Sequence, residues 1–248
     1  TVTVTRATSS AGDGSGSSGG NGSDNGTPQT PPPVVTPTSD KPVLNDKITD
    51  VQKVKEADQA ALHLTAPKPF PDVPANSWSS KAVQLAQQLD IVQGSPDGNF
   101  HGSTNVTRAE FVTMMVKALH LDTTSNSGGT FSDTNGHWAE SAIGALRAAG
   151  VIEGMGDGSF KPDQPISRAE ITVILARVIV VGKVTGDMHF SDTSSSWARQ
   201  YIEQLANADI VRGEGDGKFY PNSYATREQS VTMILRMLNI CLNLDLQL

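Results

Sequence analysis

From residue 80 onward the apolar positions fall into stripes whose spacing predicts helices. Ala82, Val83, Ala86 and Leu89 make one stripe; Ala142, Ile143, Leu146 and Ala149 make a second; Ile202, Leu205 and Ala208 make a third. Steps of three and four residues put each set on a single helical face. Between and after these stripes lie denser runs: Phe111, Val112, Met114, Met115 and Ala118, then Ile171, Val173, Ile174, Leu175 and Val178, then Val231, Met233, Ile234, Leu235 and Leu238. The second dense run is apolar nearly all round, so its helix is expected at the centre of the assembly. A further amphipathic stretch, Ile48 to Leu64, predicts one more helix ahead of the others. The fold class is therefore all-α, with helical hairpins around a shared core.

Start and stop signals sharpen these elements. Thr107-x-x-Glu110, Ser167-x-x-Glu170 and Thr226-x-x-Gln229 are capping boxes that open the dense helices. In such a box the hydroxyl accepts the N3 amide proton while the Glu or Gln reaches back to the cap residue. Asp-Gly pairs at 97–98, 157–158 and 216–217 mark tight turns, where Gly supplies the positive φ that other residues resist.

These signals recur in a fixed register. Counted from Trp78, Trp138 and Trp197, a Gly falls at +16 (Gly94, Gly154, Gly213), a Phe at +22 (Phe100, Phe160, Phe219) and an Arg at +30 (Arg108, Arg168, Arg227). Each copy opens with Phe-x-Asp, ending at Asp72, Asp133 and Asp192, and the copies lie 60 and 59 residues apart. A period of this size marks units that are too small to bury their own apolar face and must pack on one another. The expected organisation is a linker at 1–43, a helix within 44–66, modules at 67–122, 128–182 and 187–241, and a tail at 242–248.

Composition narrows the chemistry. Thr8 to Gly26 contains only Thr, Ser, Ala, Gly, Asp and Asn, and Thr27 to Pro42 carries six prolines, so a flexible coil followed by a stiffer spacer is expected. The net charge of −7 argues against a nucleic-acid partner, which needs a basic face. No apolar run is long enough to insert in a membrane. Cys241 stands alone, which excludes an intrachain disulfide and a Cys-based metal site. The five histidines do not recur in register. An EF-hand counted from Asp157 would need Glu at position 12, where Arg168 stands, so that reading fails. No nucleophile motif, phosphate-binding glycine loop or repeated carboxylate pair is present. No catalytic residue, metal or cofactor is expected, and any enzyme activity would belong to a domain upstream.

Among the recurring residues, the arginine is the least explained by local structure. Capping accounts for the hydroxyl and for the acid or amide on either side of it. The Arg occupies the first helical position, where the positive end of the helix dipole disfavours a cation. Two causes stay open: a structural salt bridge, for example to the Phe-x-Asp carboxylate, and an anionic ligand held jointly by the guanidinium and the helix N-terminal amides. The Trp residues read first as core and second as platforms for sugar faces. The Asp residues of the turns read as structural.

Phe-x-Asp, Trp, a helix, Gly-x-x-Asp-Gly-x-Phe and Thr-Arg-Ala-Glu, in this order and three times over, resemble the S-layer homology family across about residues 70 to 240. The resemblance implies a pseudo-threefold trimer of modules with a central helical bundle and grooves between neighbours. It also implies noncovalent anchoring of exported proteins to a secondary cell-wall polysaccharide carrying pyruvate ketals, often on N-acetylmannosamine, and hence a secreted, cell-surface location. The implied site has Arg108, Arg168 and Arg227 pairing bidentately with the ketal carboxylate. Gly94, Gly154 and Gly213 would allow close approach, and Trp78, Trp138, Trp197, Asp72, Asp133 and Asp192 would neighbour the ring. The third motif departs from the pattern: Glu228 follows Arg227 where the other copies have Ala109 and Ala169. Pairing of that carboxylate with Arg227, or repulsion of an acidic ligand, would set the third groove apart. The alternative reading is a structural module making protein contacts in a surface layer, with self-assembly through an upstream domain.

Overall fold

Three backbone hydrogen bonds close a ring at the middle of the molecule. Val106 N donates to Ala225 O (3.0 Å), Ala225 N to Ile166 O (3.0 Å) and Ile166 N to Val106 O (3.1 Å). Each module contributes the residue two places before its arginine, so the repeat register becomes a pseudo-threefold axis. The structure is a computed structural model describing residues 41–124, 131–182 and 186–248. Of the linker expected at 1–43, residues 1–40 lie outside the described residues, and Val43 belongs to a short strand.

Around the ring, each module supplies two helices. The first helices are α2 (Ser80–Gln88), α4 (Glu140–Ala148) and α6 (Arg199–Asn207); the second are α3 (Arg108–Ala118), α5 (Arg168–Arg177) and α7 (Arg227–Leu242). All three capping boxes form, with the Thr107, Ser167 and Thr226 hydroxyls accepting from the N3 amide. α5 is buried at every position except Glu170, as its all-round apolar pattern requires. The tightest helix packing runs between modules: α3 against α4, α5 against α6 and α7 against α2. No module completes its core alone, which is why the period and the closure belong together.

Ahead of the repeats, α1 (Val51–Leu62) is capped by Asp50, whose side chain accepts from Lys53 N. A short antiparallel pair, β1 (Val43–Leu44) with β2 (Ile179–Val180), ties this leading segment to the end of the second module. The apolar pattern gave no sign of that pairing, because two-residue strands leave no periodicity to read.

Within each module a phenylalanine pair and an aspartate fix the turn that precedes the second helix. Phe70–Phe100, Phe131–Phe160 and Phe190–Phe219 pack with ring centroids 5.4 to 5.5 Å apart. Gly94, Gly154 and Gly213 lie beneath these rings, and a β-carbon at any of them would collide with the Phe-x-Asp ring. The close approach these glycines permit is thus to Phe70, Phe131 and Phe190. The Asp-Gly turns have φ of 82°, 82° and 78° at Gly98, Gly158 and Gly217, as the dipeptides predict.

Candidate binding grooves between modules

The Phe-x-Asp carboxylates set the position of the chain that meets the arginines. Asp72 accepts from Phe100 N (2.8 Å) and His101 N (2.7 Å), Asp133 from Phe160 N and Lys161 N, and Asp192 from Phe219 N and Tyr220 N. Burial pushes the Asp72 carboxyl up, but the two N–H bonds outweigh it and hold the group below the usual carboxylate range. His101, Lys161 and Tyr220 sit at φ of 57°, 56° and 57°, a left-handed conformation that each clamp helps to hold. Both oxygens of each Asp are committed to the backbone, so these residues position the site.

Each clamped phenylalanine presents its carbonyl to the arginine of the preceding module around the ring. Arg108 Nε donates to Phe160 O (2.8 Å), Arg168 Nε to Phe219 O (2.8 Å) and Arg227 Nε to Phe100 O (3.1 Å). The guanidinium carbons stand 4.5, 4.5 and 5.2 Å from the centroids of the same three rings. Cation–π attraction and a carbonyl acceptor therefore answer the puzzle of a cation at a helix N-terminus. Ion pairs complete the joint: Arg108 with Glu170 (2.5 Å), Arg227 with Glu110 (2.8 Å) and Arg168 with Glu214 (2.9 Å). A structural salt bridge exists at all three, but its carboxylate comes from the capping box or the turn of the next module and not from Phe-x-Asp. Burial lowers the pKa of Arg108 and Arg168, opposed chiefly by Glu170 and Glu214; both stay cationic.

The helix N-terminal amides are taken. Arg108 N donates to Gln164 O, Arg168 N to Ser223 O and Arg227 N to Thr104 O, each at 2.9 Å, and the next amide in each helix also meets a carbonyl of the adjoining module. With the third amide bonded to the cap hydroxyl, no donor is left for an anion. The expectation that helix amides share an anionic ligand with the guanidinium is overturned by this ring of carbonyls.

Two further expectations change. The Trp side chains are not core: Trp78, Trp138 and Trp197 are 62, 63 and 43% exposed. Their place in the core is filled by the phenylalanine pairs. Glu228 does not pair with Arg227. Its Oε2 accepts from Ser79 Oγ at 2.6 Å, tying α7 to the start of α2.

The three joints open to different extents. Beside Arg108 the groove has a volume of only 10 Å³, because Arg108–Glu170 and Arg177–Glu153 pairs fill it. Beside Arg168 a groove of 360 Å³ brings together Trp78 of the first module, Arg168 of the second, and Gly213, Arg212 and Arg236 of the third. A third cleft of 570 Å³ is lined by Lys53, Lys117 and Trp138, with Arg227 outside its described lining.

Residues passed over in the sequence prove to shape these grooves. Lys117, Arg177 and Arg236 recur at +39 from the three Trp residues, a register the sequence displayed. Gln229 stands where Glu110 and Glu170 stand in the other copies, and as a cap it looks equivalent. It is not equivalent as a partner, since Glu110 and Glu170 each neutralise a neighbour's arginine.

Comparison with known proteins agrees with this architecture. The sequence profile of the S-layer homology domain matches residues 69–112, 130–172 and 189–229. The chain is 34% identical over 163 residues to cell surface glycoprotein 1 of Acetivibrio thermocellus, covering 59% of this chain and 7% of that protein. It is 30% identical over 172 residues to S-layer protein EA1 of Bacillus anthracis, covering 68% and 20%. With the amylopullulanase of Thermoanaerobacterium thermosulfurigenes it shares 34% over 179 residues, covering 69% and 10%. The chain thus spans a minor part of each of these relatives. Three matched modules in unbroken register, closed into one ring, make this chain a member of the S-layer homology domain family.

Proposed function

We propose that the three modules form a noncovalent anchor that holds a cell-surface protein to a secondary cell-wall polysaccharide carrying pyruvate ketals. The cell-surface location rests on the family membership and on relatives named as surface and S-layer proteins. Among the described residues no helix is long and apolar enough to cross a membrane. The relatives include proteins named for S-layers and one named as an amylopullulanase, so the anchor is separable from its cargo. Any catalytic activity of the whole protein belongs to a segment outside these modules.

One observation carries the ligand assignment: the 360 Å³ groove sets an exposed Trp78 beside Arg168, Arg212 and Arg236 on a protein of net charge −7. General attraction cannot draw an acidic polymer to an acidic protein, so recognition has to be local. A ketal carboxylate matches the planar guanidinium fork, and the sugar face matches the indole. Arg168 spends three N–H groups on Phe219 O, Arg212 O and Glu214, which leaves two of its five for a ligand.

The test compares binding of the whole chain to purified wall polymer before and after removal of the ketals. Loss of binding on removal supports the assignment; unchanged binding contradicts it. Retained wall binding together with loss of self-association in a Trp variant would favour the surface-layer assembly reading instead.

A further inference from the structure

The three joints repeat one arrangement of arginine, carbonyl and ring, but their charges differ. At the Arg108 joint, Arg108 and Arg177 face Glu153 and Glu170, so two cations meet two carboxylates. At the Arg168 joint, Arg168, Arg212 and Arg236 line the groove with Glu214, and Asp209 beside it chelates Arg212, so three cations meet two carboxylates. Two register positions change: Gln229 removes the carboxylate that the capping box supplies elsewhere, and Arg212 stands where Glu153 stands.

The Glu214 carboxylate is also the least fixed. Glu170 Oε2 accepts from Ser167 N (2.8 Å) and Ser167 Oγ (2.7 Å) while Oε1 takes Arg108, so both oxygens are held. Glu214 lies on a turn with its side chain 40% exposed, and its Oε1 takes both Arg168 and Gln229. With its carboxylate partly exposed to solvent, this pair is screened and exchangeable.

At the far end of the groove lies a cation with too few partners. Arg236 Nε is buried and has no hydrogen-bond partner among the described residues. Its neighbour Arg212 is chelated by Asp209 through two bonds of 2.7 Å, so Arg236 stands beside a like charge and a carboxylate already held by that charge. Arg177 Nε is likewise buried without a hydrogen-bond partner among the described residues, but the terminal nitrogens of Arg177 bond Val151 O and Glu153, and Lys117 lies 3.5 Å from Asp90. Gln229, Thr232, Met233 and Arg236 follow at steps of three, one and three, so they form one stripe along the groove. Gln229 marks the Arg168 end, since both residues reach Glu214. Seven residues of helix separate it from Arg236, about 10 Å.

We propose, building on the anchoring function above, that the groove between the second and third modules is the principal polymer site and takes two acidic groups of one glycan strand. The first, a ketal carboxylate, lies on Arg168 beside Trp78. The second lies about 10 Å further along α7 on Arg236. The ligand class is thus an oligosaccharide with acidic substituents on separate sugars, and Arg236 is a specificity-determining residue for the second of them.

The experiment titrates the whole chain calorimetrically with two synthetic probes, N-acetylmannosamine carrying one pyruvate ketal and an oligosaccharide carrying ketals on two of its sugars. The wild-type chain is expected to bind the two-ketal probe about tenfold more tightly, the scale of one charge-assisted contact. Arg236→Gln should erase that gain, while Arg177→Gln and Lys117→Gln should keep it. Gln229→Glu, which installs the residue already standing at positions 110 and 170, should fold normally and weaken both probes. Equal affinity of the wild-type chain for both probes overturns the second-acid site and leaves the anchoring function standing. So does a gain that survives Arg236→Gln, or one that Arg177→Gln removes equally. Failure of the wild-type chain to bind either probe overturns the anchoring function and this site with it.

Discussion

The Arg108 joint and the Arg168 joint are built from the same parts, an arginine opening a helix, a clamped phenylalanine carbonyl and a ring beneath the guanidinium. One is sealed by Glu170, which its capping box holds in place; the other ends on Glu214, on an exposed turn. An amide for a carboxylate in the helix cap, with Arg212 in the register place of Glu153, therefore separates a fastener from a groove. Repeat proteins can keep a structural contact in every copy and free one copy for ligand by changing only its charge partners.

The largest expected effect tests the sealed joint. Arg108→Ala leaves Glu170 and Phe160 O without their partner in a buried setting and should cost about 3 kcal/mol in urea unfolding. Arg168→Ala strands a more exposed carboxylate and should cost less, about 2 kcal/mol. Equal losses would mean that the two joints carry the same load. Next come the glycines beneath the rings. Gly154→Ala and Gly213→Ala each force a β-carbon against a phenyl ring and a carbonyl oxygen, for about 2 kcal/mol of overpacking. Only the second should also weaken polymer binding, and a matching loss in Gly154→Ala would erase the distinction.

Much of the fold was legible in the sequence. The stripes, the three capping boxes, the Asp-Gly turns and the register gave the helices and the repeat, because those signals act within a few residues of one another. The inter-module contacts were not legible. Arg108 meets a carbonyl 52 residues away and Arg227 one 127 residues away, and only ring closure brings them together. The exposure of the Trp residues was not legible, because bulk alone favours burial and only the fold shows that the phenylalanine pairs already fill each core. Gln229 was legible as a cap and silent as a partner, since its effect is felt by a side chain of another module.

Smaller effects sharpen the comparison further. Glu214→Gln removes the carboxylate that competes for Arg168 and should tighten binding of the one-ketal sugar by about threefold, read by calorimetry. Trp78→Ala should weaken it while changing stability by less than about 0.5 kcal/mol, since the indole is exposed. The smallest effect concerns acid. Because the folded Asp72 pKa lies below its unfolded value, the clamp stabilises the fold above pH of about 4 and is lost as pH falls through the lower folded value. Urea midpoints at successively lower pH should decline in the wild-type chain and less steeply in Asp72→Asn.

The most direct test of the central claim follows the arginine Nε–H resonances of the ¹⁵N-labelled chain during titration with the one-ketal sugar. Arg168 should shift with saturation while Arg108, sealed by Glu170, stays in place. Equal shifts at both, or a shift at Arg108 alone, would contradict the account.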